Sequence, residues 1–216
     1  VATDVPLTCL GADYGSIGEE ALVSSAQGRS YGVELLAKWL IPEKISLVGS
    51  ATLYKSEFRS DKEAEYIPSS WDNRFIINLS AVYDLPSYWS IGAKISAIGG
   101  APYTPYDRET SAFKSVWDAA GRPVYDYLRY NQERLAPYYQ IDLRVDKDFY
   151  FRKWTLSLYV DLQNVTFSKI RQPDAYLSTG TILNPDDLPE LQKYELEVLE
   201  LYSGTIVPAI GITVEF

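Results

Sequence analysis

Histidine and methionine are missing from this chain, and cysteine occurs once, at Cys9. The usual nitrogen and sulfur metal sites are therefore absent. A lone thiol closes no internal disulfide and leaves the redox compartment open. No run approaches about 18 uninterrupted apolar residues, which excludes a transmembrane helix. It does not exclude a membrane protein built from strands, whose apolar residues alternate with polar ones. No leader segment is recognisable, so the chain is expected to be a processed or cut piece of something longer. Basic charge is also scarce: 20 Lys and Arg against 29 Asp and Glu give a net charge of −9. That argues against a partner such as duplex nucleic acid, which calls for a basic face, and suits solvated acidic loops.

What is abundant is aromatic. Of 216 residues 14% are aromatic, with 18 Tyr and 5 Trp, in a chain that is 46% apolar. Rings with one apolar and one polar end suit a boundary between apolar and wet surroundings. Seven segments alternate with period two. The last places Ile210, Ile212, Val214 and Phe216 on one face, opposite Ala209, Gly211, Thr213 and Glu215. Before it, Leu156, Leu158, Val160 and Leu162 oppose Ser157, Tyr159 and Asp161, and Tyr139, Ile141, Leu143 and Val145 oppose Asp142, Arg144 and Asp146. Upstream segments near 89–96, 74–84, 44–58 and 30–41 behave alike, whereas Lys147 interrupts one apolar row. Several charges on the polar side of one strand do not suit a soluble sandwich core. They suit a wet or protein-filled interior.

The connections alternate in length. Tight turns are expected at Pro42-Glu43, Pro86-Ser87-Tyr88 and Arg152-Lys153, and long polar loops at 59–71, 102–137 and 168–205. Short turns on one side and long loops on the other are the pattern of an outer-membrane barrel. Trp39, Trp89 and Trp154 fall near the short turns on the apolar face, joined by Tyr83, Phe149 and Phe151, and form a candidate membrane girdle. The expected fold is all-β, an antiparallel transmembrane β-barrel to which residues 30–216 contribute about seven strands. Residues 1–29 read as the remainder of an external loop. Closure then needs further strands, from the same precursor or another chain, because open edges in lipid leave backbone groups unsatisfied.

Several local motifs, in order, resemble the C-terminal barrel of TonB-dependent receptors of Bacteroidetes-like bacteria. Gly28-Arg29-Ser30-Tyr31-Gly32-Val33-Glu34 is similar to a strand opening of that family, and Ile67-Pro68 with Trp71-Asp72-Asn73-Arg74 to a passage from loop to strand. Gly99-Gly100-Ala101-Pro102-Tyr103-Thr104-Pro105 is similar to a strand exit. Asn131-Gln132-Glu133-Arg134-Leu135, with Tyr138, Asp142, Arg144 and Asp146, resembles the approach to the penultimate hairpin. Asp161-Leu162-Gln163-Asn164-Val165 and the ending Gly204, Pro208, Gly211, Glu215, Phe216 complete it. The resemblance implies a bacterial outer-membrane barrel of about 22 strands around a plug. Such a barrel imports a scarce nutrient (glycan, peptide, siderophore or similar) with energy relayed by the TonB complex through the plug. This chain lacks the plug, the TonB box and most of the strands. Expected partners are the remaining strands and plug, outer-membrane lipids, the insertion machinery and a surface lipoprotein. A terminal aromatic such as Phe216 resembles the signal that the insertion machinery reads.

Within this frame Arg74, Lys94, Asp142, Arg144 and Asp161 are candidate interior charges, with Arg144 set opposite Asp161 if the Arg152-Lys153 turn is tight.

 The Arg152-Lys153 turn allows that register, and a slip by two residues is the alternative. These charges either meet substrate or pair with one another and with a plug, since buried charges are normally partnered. In the 102–137 loop Tyr103, Tyr106, Trp117, Tyr125, Tyr127 and Tyr130 are the candidate ligand-contact rings, able to stack on sugars or peptides or to pack on one another. The last loop is rich in acids (Asp186, Asp187, Glu190, Glu195, Glu197, Glu200), which suits cationic ligands or Ca²⁺, and both helix and strand fit parts of 186–202. No catalytic constellation of base, nucleophile and oxyanion donor emerges, so no enzyme is expected. The alternatives in other classes are a passive porin or adhesin barrel and a soluble β-sandwich interaction module.

Overall fold

The computed structural model describes residues 25–216, in which seven long strands follow one antiparallel path in chain order. They are β1 (Gln27–Ile41), β2 (Ile45–Arg59), β3 (Phe75–Leu85), β4 (Trp89–Ile98), β5 (Tyr138–Tyr150), β6 (Thr155–Gln163) and β7 (Val207–Glu215). The two-residue strand Ile67–Pro68 adds to the end of β2. Strand β1 starts three residues earlier than the sequence pattern suggested, so 27–29 belong to the sheet; residues 1–24 of the expected external loop lie outside the described residues. Among the described residues β1 and β7 pair only with β2 and β6, leaving the sheet open at both edges.

Tight turns link the strands at one end, called here the turn end. Pro42 holds its φ near −65°, Glu43 takes a left-handed φ of 56°, and the Lys44 N–H closes on the Ile41 carbonyl at 3.1 Å. Ser87 and Tyr88 are left-handed in succession, at 63° and 61°, a backbone sense that matches the twist of the flanking strands. At the third turn the Phe151 N–H meets the Trp154 carbonyl at 2.9 Å, and the two rings stack at 4.1 Å. The other three connections are long and leave from the opposite, loop end.

Register gathers the apolar side chains on one face. One cross-strand row reads Trp39, Leu47, Ala81, Ala93, Leu143, Leu162, Pro208; the next reads Ile41, Ile45, Tyr83, Ile91, Val145, Val160, Ile210. Every member of both is apolar or aromatic, although the strands come from separate parts of the chain. The reverse face carries Ser50, Asn78, Ser96 and Gln140 in one row and places Lys94 beside Asp142 in the next. It is not uniformly polar, because Leu36, Leu40, Val48 and Val82 also lie there on the first three strands.

This sheet has almost no core. Phe58, 8% exposed, and Pro102 are the buried apolar side chains among the described residues, while Val33 is 73% and Ile210 81% exposed. Burying a Val, Leu, Ile or Phe is worth about 1.5–3 kcal/mol. A face of such residues left in water forgoes tens of kcal/mol, more than the usual net stability of about 5–15 kcal/mol.

Lys147, the break in the apolar row, has a local solution. It lies opposite Trp89 and Leu158, and its ammonium reaches the Ser87 carbonyl in the neighbouring turn. There it sits 5.3 Å from the Trp89 ring centroid and 5.1 Å from that of Phe149. The stem covers apolar surface while the charge leaves at the turn end.

The base of the last loop is tied by Asn164, which is buried and left-handed (φ 56°). Its amide donates to the carbonyls of Ser168 at 2.9 Å and Thr205 at 3.2 Å and accepts from the Ser168 N–H at 2.9 Å. Asn164→Ala is expected to cost about 2–4 kcal/mol from the polar groups left unpaired, and to accelerate amide hydrogen exchange over residues 165–206. Unchanged exchange there would show that the loop base does not depend on this side chain.

Candidate functional site

Three segments far apart in sequence meet at the loop end. Asp72, 1% exposed, accepts the Ser56 N–H at 2.8 Å and pairs with the Arg134 guanidinium at 2.8 Å. Arg134 also donates to the carbonyl of Gly100 at 2.7 Å and to that of Asp72. Asn131, buried and left-handed (φ 51°), donates to the Pro68 carbonyl at 3.0 Å. Glycine is required where these segments cross: a Cβ on Gly100 would lie 1.6 Å from the Leu135 carbonyl oxygen, and one on Gly99 1.8 Å from that of Asn73. The result is a buried polar clasp joining the loop that follows β2 to both ends of the loop between β4 and β5.

Above the clasp the long loops have structure of their own. In the 102–137 segment lie α1 (Arg108–Ala112) and α2 (Lys114–Ala120), followed by a single 3₁₀ turn at Tyr127–Arg129. Asp107 caps α1, and the Thr110 hydroxyl and then its backbone N–H hold the Asp107 carboxyl below the usual carboxylate range. Gly121, at φ 64°, ends α2. The last loop is a hairpin of Ala175–Ile182 against Tyr194–Leu199, which settles 194–199 as extended. The two loops touch: the Lys114 N–H reaches the Gln192 carbonyl at 2.8 Å, and the Tyr194 hydroxyl donates to Asp118 at 3.0 Å. Lys114 first, then Tyr194, lowers the Asp118 carboxyl. A cavity of about 300 Å³ opens between α1 and this hairpin, lined among others by Arg108, Glu109, Leu183, Tyr194 and Leu196.

Four of the candidate rings come together. Tyr106 and Tyr125 stack at 4.6 Å, Tyr125 meets Tyr127 at 6.0 Å, and Tyr127 and Tyr130 lie nearly parallel at 6.3 Å. Tyr176 from the last loop meets Tyr106 edge-on, and Phe58 from β2 meets Tyr130. The rings thus pack on one another, and Tyr127 at the rim remains exposed. Tyr103 stands apart in a short pairing with Glu133, and Trp117 lies on α2. Such a ladder presents flat apolar faces edged by hydroxyls, a surface suited to stacking on planar or ring-shaped solutes.

The candidate interior charges are placed differently from one another. Arg144 lies opposite Asp161, the register expected, and Lys94 lies opposite Asp142. Yet Arg144 forms its ion pair along its own strand, with Asp146 at 2.6 Å. The Tyr159 ring, opposite Asp146 on the neighbouring strand, lies 4.1 Å from the same guanidinium. Asp142 is taken by the Gln140 amide at 2.6 Å and the Asn164 N–H at 2.8 Å. Arg74 sits just before β3 at the loop end, left-handed at φ 66°.

Of the girdle candidates, Trp39 and Trp89 are exposed on the apolar face and Trp154 stacks on Phe151; the terminal Phe216 is fully exposed beyond β7. The acids of the last loop are dispersed: Asp187 accepts from the Asn184 amide, Glu195 from the Thr179 hydroxyl, and Glu200 from the Tyr202 hydroxyl. Sequence reading located the motifs but missed the Asp72–Arg134 pair and both buried asparagines as structural ties. Only an acid and a base inside two motifs 62 residues apart hinted at it. Compared with known proteins, the chain matches no family model, no curated protein and no solved structure.

Because Asp72 is sealed from solvent, removing Arg134 leaves an uncompensated buried carboxylate. Arg134→Ala is expected to destabilise by about 3–5 kcal/mol and to open the 102–137 loop to protease. Equal resistance of the variant and the parent protein to limited proteolysis would disprove the clasp's role.

Proposed function

We propose that this chain contributes seven strands to a transmembrane β-barrel of a bacterial outer membrane, in a TonB-dependent transporter that imports a scarce nutrient. The observation that carries the reading is the apolar face, exposed across seven strands and charged only near its two ends, with almost no buried apolar side chain among the described residues. Hydrocarbon is the surrounding that such a face fits, and strands of nine to fifteen residues meet the length of about 9–11 that a tilted spanning strand needs. Aromatic rings and the emerging Lys147 ammonium at the turn end fit a membrane boundary. Long loops on one side fit the external surface, and short turns fit the periplasmic one.

The transporter class rests on the resemblance of the motifs. Its support here is that motifs from three separate segments converge on one clasp, as parts of a single architecture do. The tyrosine ladder and the cavity beside α1 are then the outer surface that a solute meets first, and the reverse face with Lys94, Asp142 and Arg144 lines the interior.

Leu79 and Ser80 are neighbours on opposite faces in the middle of β3. Leu79→Arg is expected to weaken membrane assembly by about 2–4 kcal/mol, as for arginine at the bilayer midplane, while Ser80→Arg is tolerated. Outer-membrane fractionation of both variants reads this, and equal tolerance would sink the barrel. The transport class is tested by nutrient uptake in cells with and without TonB; uptake that persists without TonB would select a passive porin instead.

A further inference from the structure

The apolar face carries charge at two levels only. One is Lys147 at the turn end. The other begins at the loop end, one pairing step beyond Val33 and Leu53, where Tyr31 pairs with Lys55, Arg29 with Glu57, and Gln27 with Arg59. Alternation puts these six side chains on the same face as Val33 and Leu53. Three cations thus surround one carboxylate, a local charge of +2 from three positive groups and one negative.

The cluster is built rather than incidental. The Glu57 side chain is 4% exposed, and one of its oxygens accepts from Nε and Nη2 of Arg29 at 2.9 and 2.7 Å while the other pairs with Lys55. A buried carboxylate in that position holds together cations that would otherwise repel. Arg59 is fixed by the Gln27 side-chain oxygen at 3.0 Å and the Lys62 carbonyl at 2.9 Å. The Tyr66 ring lies between the two guanidiniums, 3.8 Å from that of Arg29 and 4.7 Å from that of Arg59. Despite this, Arg29 and Lys55 remain half exposed. In the loop above, Asp61 is turned chiefly onto the backbone N–H groups of Glu63 and Ala64, and Arg59 is a lesser electrostatic neighbour.

We infer that this cluster seats the phosphate of an anionic lipid headgroup in the outer leaflet. The inference rests on the barrel reading. A guanidinium and an ammonium held side by side suit a phosphate, which accepts several charge-assisted hydrogen bonds at once. Continuity with the apolar face chooses the source of that phosphate. A ligand held here by its anionic group has Val33, Leu35 and Leu53 directly below it, all exposed, so the part that follows must be apolar. Free phosphate uses only half of this surface, whereas a lipid with an anionic head and acyl chains uses both. Tyr31 and Tyr66 stand at the level where aromatic side chains favour the membrane boundary.

The test uses the membrane-extracted protein in mild detergent, with fold monitored by heat-modifiable mobility. It is titrated with a micelle-dispersed phosphorylated glycolipid (lipid A), with the same lipid stripped of phosphate, and with inorganic phosphate. Lys55→Gln combined with Arg59→Gln keeps Arg29 on the buried Glu57. That pair is expected to lower affinity for the phosphorylated lipid about thirtyfold, the effect of two cations beside an anionic surface. Lys55→Arg is expected to retain binding, and inorganic phosphate not to compete. Equal binding of the dephosphorylated lipid, undiminished binding by the double variant, or competition by inorganic phosphate would each overturn the headgroup site. Any of these in a protein that still fractionates with the membrane leaves the barrel reading standing; recovery of the parent protein in the aqueous fraction removes both.

Discussion

Cross-strand register is the constraint on which the rest of this structure depends. Side chains alternate along a strand with period two, so a slip of one residue in any pair would carry an apolar row to the polar face. Here the rows stay in phase through six consecutive pairings, although the turns differ in sequence and the loops in length. Parity itself changes on the way. The apolar residues are odd-numbered through β5 and even-numbered in β6 and β7, and the turn at Phe151–Trp154 makes the change. Its backbone bond and stacked rings keep one apolar face continuous across that turn.

An apolar face with no second layer over it among the described residues changes the meaning of the other features. In a sandwich, Trp39 and Trp89 would be core residues and Lys147 a defect. On an exposed face they form a graded boundary: apolar rows in the middle, rings toward the turns, and a single ammonium led out past them. The opposite boundary has the same logic in a different chemistry, with Arg29, Lys55 and Arg59 organised around Glu57 and two tyrosines. The reverse face is handled by local polar bonds, with Arg144 satisfied along its own strand and Asp142 tied to Asn164. The polar row of the reverse face is thus connected to the base of the last loop.

The clasp and the ladder divide the work at the loop end. Asp72, Arg134 and Asn131 are buried and fix where the loops begin. The tyrosines are partly exposed and lie on what the clasp fixes, so the position of the ladder is set by bonds beneath it. Rigid supports under variable contact residues are how loops acquire binding roles.

Much of this was legible in the sequence because it is local. Alternation located all seven strands to within a few residues, and Pro42, the turn at 86–88 and Arg152-Lys153 located the short connections. The aromatic positions near those turns followed from the same count. What sequence could not supply were partners distant in the chain. Asp72 and Arg134 are an acid and a base among many until the loops fold back. Asn131 and Asn164 read as ordinary loop residues until their left-handed backbones and buried amides are seen. Arg144 was correctly placed opposite Asp161, but its ion pair with Asp146 and its contact with the Tyr159 ring belong to packing. Periodicity is a property of neighbouring residues, so the sequence by itself determined which side chains share a face. Closure of a polar cluster depends on distances between remote segments, so only the tertiary structure decided which charges meet.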